Sequence, residues 1–554
     1  MTQRPQADPA PAEAGEPRTS PVEPSPGPAS APAPRRPAWA ALSALAAGGF
    51  ALFYLPLLLG FGYGYFIDEF YYIACARRLA WGFVDHPPLA PALLAPVIGL
   101  LGDSLAAVRL LPALAGAATM LVTGWTAARL GAGRWGQLVA AGAVLAAPVF
   151  QVLFGIFTVN AFEFLLWTCC LAILIEIELR GEPRLWLAFG ALAGLALLNK
   201  HTTAVLALGL AVGLLLTGAR RHLTGRWLWL GAGLAALIFL PNLLWQIAHD
   251  WPSLEFYRNA AAEKNLPTPP LGVLVYQLRF FGPTTVPLWG AGLLALLAGR
   301  LGRGLRHLGW LYAALLVLLM VSQQARPDRI AGVYPILFAA GAAYLEPRLL
   351  GSGEGRAAAR RWPGGRWLAV ILPALIVLGG LATLPPTTPV LPPAATARYA
   401  RALGMVPQIE SGAGKTSELP QWLADRFGWE ELVADVAAVV ERLPPAERER
   451  AVIVANSYGH AGALELWGDR YDLPPVHSNH NNYVLWGPPP EGTTVAVVLG
   501  DSEERLRELF EEVEHGALHD CDWCMRWRDE LPIRIVRGPR IDFQSRWYEL
   551  RHFE

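Results

Sequence analysis

The sequence predicts a polytopic α-helical membrane protein of about eleven transmembrane helices that ends in a soluble α/β domain. Three observations carry this. Of 554 residues 53% are hydrophobic and only 16% charged, where soluble proteins carry about a quarter charged residues. The long apolar runs fall almost entirely between 38 and 384, whereas 385–554 is charged and mixed. Basic residues crowd into alternate connections between the apolar runs. The formal net charge of zero gives no electrostatic footing for a nucleic-acid partner.

Residues 1–37 are rich in Pro, Ala, Ser and Glu and end in Arg35–Arg36. Such a composition cannot bury a core and predicts a disordered cytoplasmic leader. The next run, 38–60, is too long for a signal-peptide core and predicts the first span. A span needs about 20 mainly apolar residues. Further candidates are 104–128, 136–153, 161–179, 185–199, 202–217, 228–247, 272–298, 308–322, 330–346 and 367–384. The apolar stretch 87–101 is interrupted by Pro87, Pro88, Pro91 and Pro96 and predicts a re-entrant or interfacial piece.

The arginines orient the chain. One series of connections holds Arg129 and Arg134, then Arg180 and Arg184, then Arg220, Arg221 and Arg226, then Arg300, Arg303 and Arg306. The next holds Arg348, Arg356, Arg360, Arg361 and Arg366. The positive-inside rule makes that side cytoplasmic, with the leader. The loop 61–103, the Asn199–His201 turn, 248–271, Gln323–Arg329 and the whole tail then face outward.

The outward face gathers polar side chains at membrane depth. Asp68 and Glu69 in "GYFIDEFYY" (64–72) stand among aromatics that include Tyr71 and Tyr72, where ionisable residues are expensive and are functional candidates by default. An alternative is that the acids only cap a juxtamembrane helix. Asp85 and His86 follow in "DHPPL", on a turn stiffened by proline. Lys200 and His201 occupy "LNKHTT", and Arg326 and Arg329 the loop between two later spans. Carboxylates facing cations suit one chemistry. The cations Lys200, His201, Arg326 and Arg329 hold a lipid-linked phosphate. A carboxylate deprotonates an acceptor hydroxyl as it attacks a sugar's anomeric carbon, and the cations stabilise the leaving phosphate.

"DEFYY" (68–72), "DHPPL" (85–89), "LNKHTT" (198–203) and "ARPDRIAGVYPILF" (325–338), in that order, resemble family 39 glycosyltransferases of the GT-C class. These are bacterial relatives of protein O-mannosyltransferases and lipid A aminoarabinose transferases. The resemblance implies a GT-C fold and a polyprenyl-phosphate sugar donor. It further implies transfer outside the cytoplasm, usually with inversion, to a protein, lipid or glycan acceptor. It maps the proposed catalytic base onto Asp68, with Glu69 beside it, and the donor-phosphate ligands onto Lys200 and Arg326. Tyr71, Tyr72, Asp85, His86, Asn160 and Glu163 are then expected around the acceptor and sugar. The sequence departs from the pattern at "FTVNAFEFLLW" (157–167), where Asn160 stands in place of an Asp found in many relatives. Glu163 lies three residues on, on the same helix face. No cofactor is expected with certainty, and a divalent metal stays open. Two rivals also stay open: a transporter or flippase of a lipid-linked substrate, and a non-catalytic relative acting in polysaccharide assembly.

In the tail, Pro385, Pro386, Pro389, Pro392 and Pro393 predict a linker. "AVIVAN" (451–456) and "TVAVVLG" (494–500) predict buried strands, and 429–443 and 502–516 predict helices. "GAGKT" (412–416) lacks the first glycine of a P-loop, Ile409 standing there, and is rejected as one. The segments 456–468 and 477–488 are rich in Asn, His and aromatics, a composition suited to sugar contacts, but are read first as ordinary polar loops. Cys521 and Cys524 are expected to pair as a disulfide, or with His515 and His519 to hold zinc.

Overall fold

The computed structural model describes residue 2 and residues 33–263, 268–299, 301–323, 326–351, 364–405 and 417–554. The leader up to residue 32 apart from residue 2, the "GAGKT" stretch, and Arg300, Arg356, Arg360 and Arg361 lie outside the described residues.

The apolar runs become helices close to the expected bounds. In order they are α1 (Trp39–Tyr54), α2 (Ile67–Arg77), α3 (Leu89–Leu101), α4 (Leu105–Arg129), α5 (Arg134–Ala146), α6 (Pro148–Leu153), α7 (Val159–Arg180) and α8 (Leu185–Asn199). They continue as α9 (Thr203–Leu215), α10 (Arg226–Ala248), α11 (Pro252–Glu263), α12 (Pro270–Phe281), α13 (Val286–Leu297), α14 (Gly302–Ser322), α15 (Tyr334–Leu350) and α16 (Gly365–Thr387). Proline sets two of the breaks. Ala147, ahead of Pro148, is extended with ψ 125°, as a residue before proline prefers, so the expected 136–153 span divides. Gly282–Pro283 divides 272–298 into segments bent by 88°.

Six helical stretches among the described residues are long and apolar enough to cross a membrane, or up to eight if each bent pair is one span. This is fewer than the eleven expected, in part because α8 and α9 have only 15 and 13 residues. Tight helix pairs are built on glycine. A Cβ on Gly190 of α8 would lie 2.1 Å from the Gly231 carbonyl oxygen of α10. One on Gly341 of α15 would lie 1.9 Å from the Leu288 carbonyl oxygen of α13. Backbones thus touch where lipid supplies no hydrophobic drive, and small residues let dispersion act.

Ion pairs tie the helices together at both ends of the bundle. At one end Arg129 and Arg180 both pair with Glu176, and Arg221 and His222 with Glu178. At the other end α2, the Lys200 turn and the start of α7 meet.

The prolines at 385 and 386 do not open a linker; they sit in the last turn of α16. Pro386 has no N–H for the Ala382 carbonyl, and the Tyr399 hydroxyl donates to it instead at 3.0 Å. Tyr399 lies on α17 (Pro393–Ala402), followed by α18 (Gln421–Ala424), α19 (Trp429–Glu441), α20 (Pro445–Arg448), α21 (Tyr458–Trp467) and α22 (Glu503–Leu509). The sheet has the order β2-β1-β3-β5-β4, from β1 (Val452–Ala455), β2 (Val476–Ser478), β3 (Val495–Leu499), β4 (Phe510–His519) and β5 (Leu531–Pro539). β1 runs parallel to β2 and β3, and β5 antiparallel to β3 and β4. Both expected strands form. The expected 502–516 helix stops at Leu509, and the chain continues as edge strand β4. Its glutamates favour a helix locally, but across the strands Glu512 and Glu514 reach Arg537 of β5 at 3.6 and 2.8 Å. Cross-strand charge pairs and a charged edge suit an outer strand.

Candidate functional site

Helix α2 starts where Glu69, at its third position, accepts the Phe66 amide at 2.7 Å. The same carboxylate takes two bonds from Arg109 of α4, from Nε and Nη2, each 2.8 Å, and the Phe157 amide at 2.8 Å. Arg109 also donates to the Gly64 carbonyl at 2.8 Å. Glu69 and Arg109 are 0% and 1% exposed. A carboxylate so fully engaged is a clamp that fixes α2 against α4 and the turn before α7.

Asp68 is one residue earlier, about 100° round the helix. It is half-buried and accepts the Tyr458 hydroxyl at 2.8 Å. One turn on, the Tyr71 hydroxyl donates to Asp85 Oδ1 at 2.8 Å and accepts the Asn482 amide at 3.2 Å. Burial, followed by the charge of Asp85, holds the Tyr71 phenol well above its usual range, so it stays a donor. Tyr72 packs against His86 with tilted rings, centroids 4.9 Å apart, and edge-on against Phe157 at 5.4 Å. His86 is buried, its Nδ1 on the Pro87 carbonyl at 2.8 Å.

Lys200 ends α8 in an extended conformation that swings its side chain to α7. Its ammonium donates to Asn160 Oδ1 at 2.5 Å and to Glu163 Oε2 at 2.9 Å. Thr202 bonds the other Glu163 oxygen. His201 bridges Tyr257 and Asn242, each at 3.0 Å, and Asn242 donates to the Trp81 carbonyl at 2.9 Å. Asp328 pairs with Arg326 at 3.5 Å and is also within electrostatic reach of Lys200 and Arg329. The Tyr257 hydroxyl of α11 feels Asp85, Glu163 and Arg329 at once. Tyr72 in turn feels both Asp68 and Asp85. Hydrogen bonds join the two groups. The Tyr72 hydroxyl accepts the Val159 amide at 3.5 Å, and the Val159 carbonyl accepts from Asn199, the neighbour of Lys200, at 2.8 Å, so the α2 acids and the Lys200 turn share one polar strip.

Lys200 and Glu163 pair with each other rather than standing as separate groups. Among the described residues no three His, Cys, Asp or Glu side chains are gathered as metal ligands. This includes the Cys521 region, where the zinc alternative finds no such group, and all five cysteines are thiols. Sequence reasoning missed Arg109, Asn242, Tyr257 and Asp328, and took Tyr458 and Asn482 for loop polarity. The last two come from the Asn-, His- and aromatic-rich segments of the tail, whose composition was the available signal.

Residues 85–245 match the family model for dolichyl-phosphate-mannose-protein mannosyltransferases. The chain is also similar in structure to ArnT from Cupriavidus metallidurans bound to undecaprenyl phosphate. Identity is 17% and TM-score 0.56, over 90% of this chain and 98% of that one. The apo state of that protein matches at 17% identity and TM-score 0.56, over 93% and 99%. An oligosaccharyltransferase from Archaeoglobus fulgidus tethered with an acceptor peptide matches at 12% identity and TM-score 0.49, over 79% and 63%. No curated protein matches the sequence. The resemblance read from the motifs is supported by the family match over part of the chain and by a fold similar to that of ArnT.

Proposed function

We propose that this protein is a membrane glycosyltransferase that moves a sugar from a polyprenyl-phosphate donor to an acceptor hydroxyl, with inversion. What carries the reading is the polar strip that joins Asp68, Asp85 and Tyr71 to Lys200 through the bonds of Tyr72 and Asn199 to Val159. Asp68 is the general base. Its neighbour Glu69 is consumed by Arg109 and two amides, so of the pair Asp68 alone keeps part of its surface open. The acceptor oxygen attacks the anomeric carbon as its proton passes to Asp68. The bond from that carbon to the phosphate oxygen breaks, and polyprenyl phosphate leaves with the electron pair. Lys200, His201, Arg326 and Arg329 hold the phosphate and stabilise its growing charge. Tyr71, Tyr72, Asp85, His86, Asn160 and Glu163 frame the sugar and acceptor. Tyr458 of the tail orients the base.

The chain sits in the cell membrane with its N-terminus cytoplasmic and the domain that follows α16 extracytoplasmic. The acceptor is a protein, lipid or glycan hydroxyl. Purified protein in detergent, given polyprenyl-phosphate sugars of several kinds, should release polyprenyl phosphate and glycosylate a supplied hydroxyl acceptor. Donor binding without turnover would favour the assembly-partner reading, and movement of donor across a vesicle bilayer without transfer would favour the flippase.

A further inference from the structure

In the tail, away from the Asp68 strip, β4 ends at His519 and leads into Cys521-Asp522-Trp523-Cys524. The His519 ring makes a 2.7 Å bond from Nδ1 to Asp435 of α19, which fixes its orientation. Its Nε2 faces the Cys521 sulfur across Gly428. A Cβ placed on that glycine would lie 2.5 Å from Cys521 Sγ and 3.4 Å from His519 Nε2. Only a residue without a side chain leaves room for the sulfur there. Cys524 lies on the inner side, 4% exposed, its thiol donating to the Cys521 carbonyl at 3.3 Å. Cys521 is half-buried and keeps an outer edge.

We propose that Cys521 and Cys524 form a thiol–disulfide exchange site, with Cys521 the attacking sulfur, Cys524 the resolving one and His519–Asp435 the group that positions Cys521. The Cys521 thiolate attacks one sulfur of an incoming disulfide, forming a mixed disulfide and expelling the first thiolate. Cys524 loses its proton and attacks Cys521 Sγ, closing the internal disulfide and releasing the second thiol. One disulfide is reduced as the dithiol is oxidised.

The charges around Cys521 are mixed. The Cys524 thiol hydrogen bond, with His519 and the buried Arg528 also acting, outweighs burial and brings the Cys521 thiol down to about 5. Cys524 is held far above its usual range, first by its bond to Cys521 and then by burial. Burial opposes charging His519, but the bonds to Cys521 and Asp435 outweigh it and raise its pKa. Asp520 and Asp529 oppose the thiolate, yet both accept the Cys521 amide, at 3.0 and 3.4 Å. An attacking thiol of lowered pKa beside a protonated resolving thiol is the pattern of dithiol exchange.

The test uses the full-length reduced protein in detergent, with iodoacetamide and oxidised glutathione as probes and peptide mass spectrometry as readout. Cys521 should alkylate at pH 6 at least tenfold faster than free glutathione, with Cys524 protected. Oxidised glutathione should yield the 521–524 disulfide, and excess reduced glutathione should reopen it. Cys524→Ser should trap glutathione on Cys521, while Cys521→Ser should leave Cys524 unmodified. His519→Asn should slow alkylation at pH 6 and leave the rate at pH 10 unchanged. Ordinary thiol reactivity in the wild-type protein would overturn the proposal. So would a disulfide that resists reduction, which would be a structural cross-link. The wild-type measurements decide the matter even if a variant fails to fold.

Discussion

The hydroxyl of Tyr458, on the first turn of α21, donates at 2.8 Å to Asp68, on the first turn of α2 and 390 positions earlier in the chain. The pairing places the tail in the candidate site. Around it Gly459 and Gly462 of α21 lie against Ile67 and Phe70, with no space for a Cβ. The Phe70 ring packs against Trp429 and Trp467 at 5.0 and 5.3 Å.

Tyr458→Phe should therefore lower kcat and leave the donor KM unchanged. The ring and its packing survive, and one hydrogen bond to a carboxylate is lost, worth about 1.5–3 kcal/mol or roughly tenfold and upward in rate. A raised donor KM with unaltered kcat would remove Tyr458 from the role of positioning the base.

The adjacent acids should separate cleanly. Asp68→Asn should cut turnover by about 10²–10⁴ with folding and donor binding intact. Glu69→Ala should instead destabilise the protein by about 3–5 kcal/mol, because Arg109 is left charged and buried. Thermal unfolding in detergent, followed alongside turnover, distinguishes the two. A stable, slow Glu69→Ala protein would return Glu69 to the chemistry.

Much of this was legible in the sequence. Apolar runs locate α4, α8 and α10 because lipid-facing helices are apolar over their length, and the tail strands β1 and β3 because they are buried on both faces. The motifs named Asp68, Tyr72, Asn160 and Lys200, whose helices the hydrogen bonds bring together. The division of labour between Asp68 and Glu69 was not legible, since helical phase separates two neighbours without saying which one meets Arg109. Nor was the Tyr458 contact, which depends on where a distant domain docks. The β4 strand was hidden because its inward residues Phe510, Val513 and Gly516 recur every third position rather than every second, against a background of glutamates with helical preference.

Acid should weaken the tail through His460. Burial holds its imidazole down to about 3, with Nδ1 on Asn456 at 2.9 Å. The unfolded chain binds its proton near pH 6.5, so the folded state binds fewer protons between those values. The contribution is complete above about 6.5 and is lost progressively as pH falls towards 3. Unfolding midpoints measured from pH 7 to 4 should fall less steeply in His460→Gln than in the wild type. Equal slopes would show that the histidine is hydrated and titrates normally.

The orientation can be read with reporters. A fusion after Glu554 should report an extracytoplasmic position, and one after Gly351, past Arg348, a cytoplasmic one. Both on one side would break the proposed orientation and the outward placement of the strip.

The Lys200–Glu163 pair makes the sharpest demand on the donor site. Glu163 is 1% exposed and binds Lys200 at 2.9 Å, so part of the ammonium's charge is already neutralised. Lys200→Ala removes a charge-assisted contact to phosphate and leaves Glu163 buried without its cation. Donor affinity should fall about tenfold or more. Glu163→Gln keeps the shape and the bond to Thr202 but takes away the competing charge. The free ammonium should then bind polyprenyl phosphate more tightly than in the wild type. The opposite signs separate a phosphate-binding lysine from a structural one. If Lys200 only ties α8 to α7, both variants should lower stability and neither should alter donor affinity, as calorimetric titration with polyprenyl phosphate would record.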